Sequence, residues 1–574
     1  MLATLLSGFL LTSLAGPLPL KVVGTEVLNS KNQPVWLRGV NCAAMEWDST
    51  GEGRIFQTVQ VAVEDWKVNH VRIPLSQDRW FGKAPEQKDE GKSYQALLKQ
   101  IVDYCNGKGV YVMIDLHWNS GAQWGKNIGQ HKLTDEHSIL FWKDVAQKYK
   151  NHPAVIFDLY NEPHSITWDV WRDGGPIEET NRQTNTTLKF KGVGMKELLK
   201  TVRDTGAKNV VVVGGLDWSY DMSGFLNGYK LDDPKGNGII YANHAYPFKG
   251  DTVEKWIAKM DLASKSLPIV VSEFGSDPRG GTSGLNGEQW VKRVVDYLQA
   301  KKLHWTAWDL HPAAGPTLIS DWLYNPTLWF GVPVLEALTG KKIPATIIPV
   351  IDEGPTKAGH YDWPKRHEAS VEYMKNNKVD LLLIGDSITH AWGGPPTEGG
   401  HSVPGNATWD KYFGSRNAVN LGFGWDGTQH VIWRFAKGAL DHVKPKAAVI
   451  MIGTNNVGWT PTEDIVLGVA TVVKQIRRKL PETKILLLGI FPRDEKPDGK
   501  NRKQVIEVNA RIKELGKEKH VTFLDLGSKF LEPDGTFSKV ISPDSVHLTK
   551  KGYEIWAREM EPTLSRLMGD TRRN

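Results

Sequence analysis

Two glutamates that follow apolar stretches could act together on one substrate. Glu162 comes after the run 154–157 (Ala-Val-Ile-Phe), and Glu273 ends the run 269–273. Cleavage of a glycosidic bond needs one carboxyl group that holds its proton and a second that stays ionised near the anomeric carbon. A single glutamate after a strand is also typical of a capping residue in a loop, so the assignment depends on the residues around both.

Three residues in the last part of the chain could do a different chemistry. Ser387 follows a strand-like run at 380–384, and Asp544 and His547 come much later. A serine that a histidine deprotonates, with the histidine oriented by a carboxylate, forms a hydrolytic triad. Taken alone, the tripeptide Gly-Asp-Ser at 385–387 is equally typical of a helix N-cap.

The elements that must position the two glutamates alternate regularly. Short apolar runs alternate with amphipathic stretches, which predicts parallel strands joined by helices. Eight such repeats predict a closed (β/α)8 TIM barrel. The predicted strands are 37–41, 70–74, 111–116, 156–161, 209–214, 239–244, 269–273 and 303–308, and the predicted helices include 94–106 and 288–301.

Polar residues end most of these strands. They are Arg72, Asp115, His117, Asn161, Glu162, His244, Tyr246, Glu273 and Trp308. Because the C-terminal ends of the strands form the catalytic face of such a barrel, we expect these side chains to meet at its mouth. Arg72 would then favour the ionised form of one of the two glutamates.

The motifs around both glutamates resemble those of glycoside hydrolase family 5, the cellulase family. Residues 159–163 read Leu-Tyr-Asn-Glu-Pro, and residues 271–275 read Val-Ser-Glu-Phe-Gly. The resemblance extends over roughly residues 21–340. It implies a retaining mechanism, with Glu162 as the acid/base, Glu273 as the nucleophile, and their carboxyl groups about 5–5.5 Å apart.

The same resemblance implies roles for other residues at the strand ends. Asn161 would bind the sugar 2-hydroxyl next to the cleaved bond, and Trp308 would stack under that sugar. Arg72 and Tyr246 would hold Glu273 in place. The remaining hydrogen-bonding groups would be His117 and His244.

The tryptophan content bears on the substrate. The chain has 23 tryptophans, 16 of them before residue 340, and flat aromatic rings suit stacking on the apolar faces of sugars as well as core packing. Those in predicted loops after strand ends are Trp47, Trp118, Trp124, Trp168 and Trp171, of which two or three could merely pack the loops. We expect an endo-β-1,4-glucanase, with a β-mannanase or another hemicellulase as the alternative.

After Leu338 the pattern changes. Residues 341–360 contain three prolines and predict an extended linker, and a second alternation of strands and helices runs over 361–570. Alternation without eight repeats predicts a three-layer α/β/α, doubly wound, flavodoxin-like domain. Its predicted strands are 380–384, 447–452, 484–490 and 521–526, and its predicted helices include 463–478 and 504–515.

The motifs of this second domain resemble those of the SGNH/GDSL hydrolases. They are 385–387 (Gly-Asp-Ser), 453–456 (Gly-Thr-Asn-Asn) and 544–547 (Asp-Ser-Val-His). Residues 420–434 resemble especially the branch that includes the catalytic subunits of platelet-activating-factor acetylhydrolase and carbohydrate acetylesterases. The resemblance implies that Ser387 is the nucleophile, His547 the base and Asp544 the residue that orients the base.

The resemblance also implies an oxyanion hole. Its donors would be the backbone N–H of Ser387, the side chain of Asn455 and a backbone N–H in the second motif block. Many relatives have a glycine in that block where this sequence has Trp425, but the backbone N–H remains. The indole must therefore point away from the hole or shape the pocket.

The acyl group is expected to be small. Residues 390–396 and the stretch after them are polar and rich in Gly and Pro, so they offer no long apolar groove for a fatty chain. Together the two domains predict a bifunctional enzyme, a glycanase and an acetylesterase acting on one acetylated plant cell-wall polysaccharide. The alternatives for the second domain are a lipid or thioester hydrolase and a non-catalytic glycan-binding module.

Composition limits the cofactors, partners and location. The net charge of +6 is spread along the chain without a basic block, so no nucleic-acid partner is expected. Cys42 and Cys105 predict neither a disulfide framework nor a metal site, and neither reaction needs a cofactor. Residues 1–20 resemble a secretory signal without its basic start, and no other segment could span a bilayer. We therefore expect a secreted or periplasmic monomer with no membrane partner.

Overall fold

The computed structural model describes residues 16–181, 186–397 and 403–571. The chain divides into two compact units. One comprises the chain up to Ser320 together with Pro326–Lys342, and the other comprises Asp321–Asn325 together with the chain from Ile343. Residues 1–15 of the predicted signal segment lie outside the described residues. Within the described ranges, no helix has both the length and the apolar character needed to cross a membrane.

The first unit alternates strands and helices. Its strands in the described residues are, in chain order, β1 (Leu20–Val23), β2 (Glu26–Asn29), β3 (Arg38–Asn41), β4 (His70–Ser76), β5 (Tyr111–Trp118), β6 (Val155–Asp158), β7 (Gly175–Asn181), β8 (Thr186–Gly192), β9 (Val211–Gly214), β10 (Ile239–Ala245), β11 (Ile269–Phe274) and β12 (His304–Ala307). Its longer helices are Ile55–Glu64, Lys92–Gly107, Glu136–Tyr149, Met195–Asp204, Val253–Ala263, Gly287–Lys301 and Gly331–Thr339, and its short ones include Gln77–Trp80, Trp168–Asp173, Leu216–Ser219 and Ser223–Leu226.

Eight of these strands close a barrel. The order around it is β3-β4-β5-β6-β9-β10-β11-β12, and β12 pairs with β3 in parallel, as all the other neighbours do. The predicted TIM barrel is therefore confirmed, with all eight predicted strands present. The fourth strand ends at Asp158 rather than at residue 161, and the backbone beyond it is irregular, although the N–H of Asn161 still donates to Leu116 O at 3.1 Å.

Alternation along β5 shows why one end of the barrel carries polar groups. Tyr111 and Met113 point into the barrel interior, where they join an apolar cluster with Ile156, Val212, Ile240 and Val270. Asp115 and His117 continue the same face of the strand toward its C-terminal end. Because the strands are parallel, the other strands place their last inward residues at that same end.

Two hairpins are added to the barrel. The antiparallel pair β1–β2 contributes Leu20 and Val27 to the apolar interior cluster, so it covers the end of the barrel opposite the polar residues. The antiparallel pair β7–β8 is inserted between β6 and β9. Residues 182–185, at its tip, lie outside the described residues.

The second unit contains one parallel sheet in its described residues. Its strands are β13 (Leu381–Gly385), β14 (Ala418–Gly422), β15 (Ala447–Met451), β16 (Lys484–Leu488) and β17 (Val521–Leu524). The order β14-β13-β15-β16-β17 is that of a flavodoxin-like sheet, so the predicted fold class is confirmed. The sequence missed β14, which lies partly within the motif run 420–434. The longer helices are Trp363–Asn376, Thr428–Ala436, Thr462–Lys479, Lys500–Ile512 and Lys550–Met568.

Apolar layers cover both faces of this sheet. Leu382 and Ile384 belong to one buried cluster, and Leu381 and Leu383 belong to another. The alternation of two apolar sets along one strand is what a strand buried between two helical layers requires. In a sheet of this order, the direction of strand connection reverses between β13 and β15, and ligands bind beyond the carboxyl ends of the strands at that point.

The predicted linker contains more structure than expected. Ile343 and the residues after it belong to the second unit, with a 3-10 turn at Ala345–Ile347 and a helical turn at Gly354–Lys357. Thr346 is buried, and its hydroxyl donates to Asp464 O at 2.7 Å. Single turns of three or four residues are too short to produce a helical period, so the sequence pattern indicated only an extended chain.

Candidate active sites

The barrel brings Glu162 and Glu273 together from opposite parts of the sequence. One oxygen of each carboxyl group and one nitrogen of His244 all lie within 4.8 Å of one another. His244 Nδ1 is 3.0 Å from Glu162 Oε1 and 3.5 Å from Glu273 Oε2. The imidazole therefore touches both carboxyl groups, and the two glutamates form one site.

Both carboxylate oxygens of Glu273 accept strong hydrogen bonds. Arg72 Nη1 donates to Oε1 at 2.7 Å, and the hydroxyl of Tyr246 donates to Oε2 at 2.7 Å. The side chain of Glu273 is 4% exposed. A buried carboxylate with a guanidinium and a phenol as donors is stabilised in its charged form and fixed in orientation.

Arg72 is the most heavily bonded side chain of the site. Its guanidinium also donates to Asp158 Oδ2 at 2.9 Å and to Asn161 Oδ1 at 2.8 Å, and it lies 3.1 Å from Asp115 Oδ2. Burial alone would lower the pKa of Arg72, but the surrounding carboxylates outweigh burial and raise it, so the guanidinium stays charged. One arginine thus fixes three strand ends around Glu273.

Asp115 and Asp158 are buried acids that share this one cation. Burial raises the pKa of Asp115 to about 7 and that of Asp158 to about 8, although Arg72 opposes both shifts. The chain thus places three carboxyl groups around a single guanidinium. Glu273 and Asp115 each have one further partner, since Tyr246 donates to Glu273 at 2.7 Å and His117 Nδ1 lies 2.6 Å from Asp115.

Glu162 has a contrasting environment. Its side chain is 19% exposed, and burial raises its pKa to about 7 even though His117, Lys249 and Arg72 favour the charged form. Burial therefore leaves a substantial fraction of Glu162 protonated near neutral pH. The two glutamates thus differ in surroundings, since Glu273 accepts hydrogen bonds from a guanidinium and a phenol and Glu162 does not, which is the asymmetry that an acid and a nucleophile need.

His117 and Asn161 orient each other. His117 Nδ1 lies 2.6 Å from Asp115 Oδ2, and Asn161 Nδ2 donates to His117 Nε2 at 3.2 Å. Burial lowers the pKa of His117 to about 4, so the ring is neutral, with its proton on Nδ1 and directed at Asp115. Asn161 Nδ2 also donates to Gln130 Oε1 at 3.1 Å, which leaves its amide in one orientation.

His244 and Trp308 complete the predicted set. His244 Nε2 lies 3.0 Å from the hydroxyl of Ser272, and burial lowers its pKa to about 3, so this ring is also neutral. The Trp308 ring lies nearly parallel to that of His117, with ring centres 5.2 Å apart. All the barrel residues predicted to act therefore surround the two glutamates.

The predicted aromatic residues divide into two groups. Trp124, Trp168 and Trp171 each pack against another ring. The ring centres of Trp124 and His137 are 3.7 Å apart, and those of Trp168 and Trp171 are 5.2 Å apart. Trp47 and Trp118 lie near each other with ring centres 6.4 Å apart, and neither is buried. Trp118 follows His117 at the end of β5, so this pair lies near the mouth of the barrel. Of the five tryptophans, Trp171 is the one that is fully buried.

A groove of about 710 Å³ adjoins Glu162 on the side of the β7–β8 hairpin. Gln130 lines it and donates to Glu162 O at 2.9 Å. His164 and Trp218 also line it, with nearly parallel rings whose centres are 4.4 Å apart. The sequence analysis missed Trp218, because a turn of three left-handed residues at 217–219 presents it and no motif marks that conformation.

Other residues of the barrel site were also missed. Asp158 and Asn41 contact Arg72 directly, and Ser272 contacts His244. A signal for Asp158 was present in the sequence, since it stands two residues after the inward-facing Ile156 of the same strand. Asn41 likewise ends the first predicted barrel strand.

In the second unit, Ser387, His547 and Asp544 form a continuous chain of hydrogen bonds. The Ser387 hydroxyl lies 2.9 Å from His547 Nε2, and His547 Nδ1 lies 2.7 Å from Asp544 Oδ2. The backbone N–H of His547 also donates to Asp544 Oδ1 at 2.8 Å. Hydrogen bonds from His547 and Val546 outweigh burial and lower the pKa of Asp544, so its carboxylate can orient the imidazole.

Ser387 is the first residue of the helical turn that follows β13. The N-cap is Asp386, whose carboxylate accepts the N–H of Ile388 at 3.0 Å. The Gly-Asp-Ser tripeptide thus fits both of the readings that the sequence allowed, since its aspartate caps the turn and its serine hydroxyl contacts His547. The preceding Gly385 pairs with Gly422 of β14 and Met451 of β15, so residues just after these strands surround Ser387.

The predicted oxyanion donors follow these same three strands. Within the described residues, the backbone N–H groups of Ser387 and Trp425 donate to no other group of the protein. The Asn455 side chain donates to Asp426 O at 3.0 Å, which leaves its second amide hydrogen available. The indole of Trp425 lies against Gly354 and His360.

Both halves of the chain match known families. Residues 28–314, half of the chain, match the model of Cellulase (glycosyl hydrolase family 5), and residues 383–555 match that of the GDSL-like Lipase/Acylhydrolase family. Platelet-activating factor acetylhydrolase IB subunit alpha1 of Homo sapiens is 31% identical over 207 residues, which cover 36% of this chain and 84% of that protein. The alpha2 subunit of Rattus norvegicus is 32% identical over 210 residues, covering 36% of this chain and 86% of that protein.

Solved structures resemble the barrel part of the chain. A beta-glucanase from Saccharophagus degradans in complex with cellotetraose is 21% identical, with a TM-score of 0.45, and covers 57% of this chain and 95% of its own. An endoglucanase catalytic domain from Thermobifida fusca is 18% identical, with a TM-score of 0.39, and covers 56% of this chain and 96% of its own.

Proposed function

Because the chain belongs to glycosyl hydrolase family 5 in its first part and to the GDSL-like Lipase/Acylhydrolase family in its second, we propose that it is a retaining endo-β-1,4-glucanase joined to an acetylesterase. Both families hydrolyse their substrates, the first glycosides and the second esters. The further proposal is that both sites act on one acetylated β-glycan of the plant cell wall.

The separation of the carboxyl groups supports retention of configuration. An oxygen of Glu162 and an oxygen of Glu273 lie within 4.8 Å of each other. Retaining enzymes hold their carboxyl groups about 5–5.5 Å apart, whereas inverting enzymes need roughly 6.5–9.5 Å to admit a water molecule. We therefore assign Glu273 to direct attack on the anomeric carbon.

The first half of the proposed glycosidase reaction forms a covalent intermediate. Glu273, ionised by its contacts with Arg72 and Tyr246, attacks the anomeric carbon. Glu162, with its raised pKa, protonates the departing glycosidic oxygen. Asn161 Nδ2 already donates to His117 and Gln130, so the 2-hydroxyl of the sugar, where charge develops, would take the place of Gln130 as the acceptor of one amide hydrogen.

The second half releases the sugar. Glu162, now ionised, accepts a proton from water, and that water attacks the anomeric carbon and displaces Glu273. One residue thus acts as acid and then as base.

The proposed ester reaction uses the triad in the second unit. His547 accepts the proton of Ser387 as Oγ attacks the acetyl carbonyl, and the oxyanion lies between the N–H groups of Ser387 and Trp425 and the amide of Asn455. His547 then protonates the leaving sugar hydroxyl, and water hydrolyses the acetyl-enzyme by the same route to release acetate. The 2.9 Å and 2.7 Å contacts of His547 carry this assignment.

The stereochemistry of the first product tests the barrel assignment. Proton NMR of cello-oligosaccharide hydrolysis should show the β-anomer forming first, before mutarotation. Glu273→Ala should lack hydrolysis, and added azide should give the α-glycosyl azide, whereas Glu162→Ala with azide should give the β-glycosyl azide. An α-anomer formed first by the unmodified protein would contradict the retaining assignment.

A polysaccharide panel tests both activities and the shared substrate. Reducing ends and acetate are measured on acetylated and deacetylated glucan, glucomannan and xylan with the full chain, Glu273→Ala and Ser387→Ala. We expect Ser387→Ala to release no acetate and to release fewer reducing ends from the acetylated polymer only. If Ser387→Ala released as much sugar from the acetylated polymer as the full chain does, the two sites would not share a substrate. The proposed ester reaction would not be affected by that result.

A second candidate for the ester site is an acetylated phospholipid. The observation in its favour is the 31% identity to a platelet-activating factor acetylhydrolase subunit over 84% of that protein. Acetate release from an sn-2-acetyl phospholipid, compared with release from an acetylated oligosaccharide at matched concentrations, separates the two.

We also propose that the protein is secreted or periplasmic and acts as a monomer. Cell fractionation would test the location, and sedimentation velocity would test the oligomeric state.

A further inference from the structure

The loop that carries Trp425 is held against the serine site at several points. The N–H of Gly424 donates to His390 Nδ1 at 3.2 Å, and His390 is in the same helical turn as Ser387. On the other side of Trp425, Asp426 O accepts the amide of Asn455 at 3.0 Å. Trp425 thus stands between two residues that are each bonded to the surroundings of Ser387.

The backbone at Trp425 is one that a large residue rarely adopts. Its φ is 72°, in the left-handed region where glycine is the usual residue. A bulky side chain in this region stores strain, and such strain is concentrated at functional sites. Glycine would supply the same backbone N–H without the strain, so the oxyanion hole alone gives no reason for an indole here.

The indole is supported on one side and open on another. A Cβ atom added to Gly354 would lie 3.2 Å from Cε3 of Trp425, so the ring lies directly against the bare backbone of that glycine. The His360 ring lies 5.1 Å away at an angle of 60°. Despite these contacts, 47% of Trp425 is exposed. A second ring, Trp459, is 91% exposed and follows Asn455 by four residues.

We infer that Trp425 is the surface on which a pyranose ring of the ester substrate stacks, so that the alcohol part of that ester is a carbohydrate. This inference rests on the proposed ester reaction at Ser387. The C–H face of a pyranose is apolar and flat enough to lie on an indole that is held from behind, while its hydroxyl groups stay in water. A fatty chain would instead need an enclosed apolar channel, in which an indole would be buried.

A ratio of two activities isolates this role. The substrates are an acetylated β-1,4-linked oligosaccharide and ethyl acetate, which has no ring to stack, and acetate release is measured for both. In Trp425→Gly, kcat/KM for the oligosaccharide divided by that for ethyl acetate should fall about tenfold, mainly through KM, because the stacking contact between the indole and the sugar ring is lost. Effects on the common oxyanion hole change both activities and cancel in the ratio.

Two further variants guard against a general loss of structure. Trp425→Tyr retains a stacking ring and should keep most of the ratio. Asn417, with a φ of 44°, is another left-handed residue and directly precedes the first residue of β14, whereas Trp425 follows the last. Asn417→Gly removes the same kind of backbone strain and should leave the ratio unchanged.

The outcomes separate the inference from the proposal beneath it. An unchanged ratio in Trp425→Gly overturns the stacking role. A larger loss on an sn-2-acetyl phospholipid than on the oligosaccharide also overturns it, in favour of a lipid. If Ser387→Ala still releases acetate from ethyl acetate, the proposed ester reaction itself has failed, whatever Trp425 does.

Discussion

The two candidate active sites differ in how far their charged side chains are exposed to solvent. In the barrel, the side chains of Arg72 and Glu273 are 0% and 4% exposed, and each polar group has several partners. In the second unit, the side chains of His547 and Asp544 are 50% and 52% exposed, and they are joined in a single line of contacts. The same elements of chemistry, a carboxylate and a cation or proton acceptor, are thus buried in one site and close to water in the other.

The difference follows from what each reaction asks of its carboxylates. The proposed barrel reaction needs two identical side chains to have different protonation states. Burial raises the pKa of Glu162 to about 7, while Glu273 accepts a 2.7 Å hydrogen bond from Arg72. The triad asks its carboxylate only to orient an imidazole, which needs a short contact but no apolar surroundings. Buried charge therefore appears where pKa values must be separated.

The largest expected effect is on the exposed site. Asp544→Asn should lower kcat for ester hydrolysis by about 10⁴-fold, because an amide no longer holds the imidazole in the required tautomer. Since Asp544 is half exposed, the melting temperature should hardly change. Calorimetry and acetate release on the same preparation measure both, with the exposed Asp534→Asn as control. A large loss of stability would remove the contrast between the sites.

In the barrel, a single substitution is expected to reduce stability as well as activity. Arg72→Met leaves several buried carboxyl groups without their cation, so the first unit should lose about 3–5 kcal/mol of stability together with its glycanase activity. The loss should be smaller near pH 6 than near pH 9, because Asp115 and Asp158, with pKa values raised to about 7 and 8, carry protons at the lower pH.

Arg203→Met is the matched control for this change. Arg203 forms a buried ion pair with Asp233 through two contacts of 2.7 and 2.8 Å, and neither residue belongs to the catalytic site. It should lower the unfolding temperature and leave kcat of the folded fraction unchanged. Glycanase activity that survives Arg72→Met in the folded fraction would deny Arg72 its role at Glu273.

A smaller effect concerns pH. Glu162 must be protonated to act as the acid, and its pKa is raised from 4.5 to about 7, so glycanase kcat/KM should fall about tenfold per unit above pH 7. Lys249 lowers this pKa, so Lys249→Met should move the alkaline limb to higher pH. Lys259→Met, a lysine that pairs with Asp251, should leave the profile in place. If the alkaline limb does not move in Lys249→Met, the group that titrates there is not Glu162.

The smallest effects are expected at the exposed rings. Trp459→Ala should raise KM for acetate release from an acetylated polymer about threefold and leave reducing-end release from a deacetylated polymer unchanged. Trp218 lies beside Glu162, so Trp218→Ala should raise KM for reducing-end release about threefold and leave acetate release unchanged. If each variant impaired both activities equally, the two rings would not belong to separate sites.

Most of the fold and of both sites could be predicted because the candidate catalytic residues lie at or just after the ends of strands, and strands can be recognised from the sequence pattern. Alternation within β5 requires Asp115 and His117 to continue the face of Met113, so the barrel mouth could be found without coordinates. The triad was equally accessible, since Ser387, Asp544 and His547 each lie in a recognisable motif. The two fold predictions and the two family resemblances were therefore correct.

What could not be predicted depends on backbone conformation and on partners distant in sequence. The left-handed turn that presents Trp218 and the left-handed Trp425 leave no compositional trace, since tryptophan is unusual in that region. Asp158 was passed over because the neighbouring Asn-Glu-Pro motif carried the signal. The turns at 345–347 and 354–357 depend on contacts such as that of Thr346 with Asp464, which local sequence does not reveal.

The β7–β8 hairpin has one more consequence, for how the range of substrates could change. Gly175 pairs with Gly192, so the chain leaves the barrel and returns to it at a single point. Thr180, Thr186, Thr187 and Leu188 line the groove beside Glu162, while Ile177 and Phe190 are buried. Grafting another hairpin between these two glycines would therefore change one wall of the groove while the sequence of all eight barrel strands stays the same, provided that the contacts of Glu178 and Glu179 with Lys132 and His131 are kept.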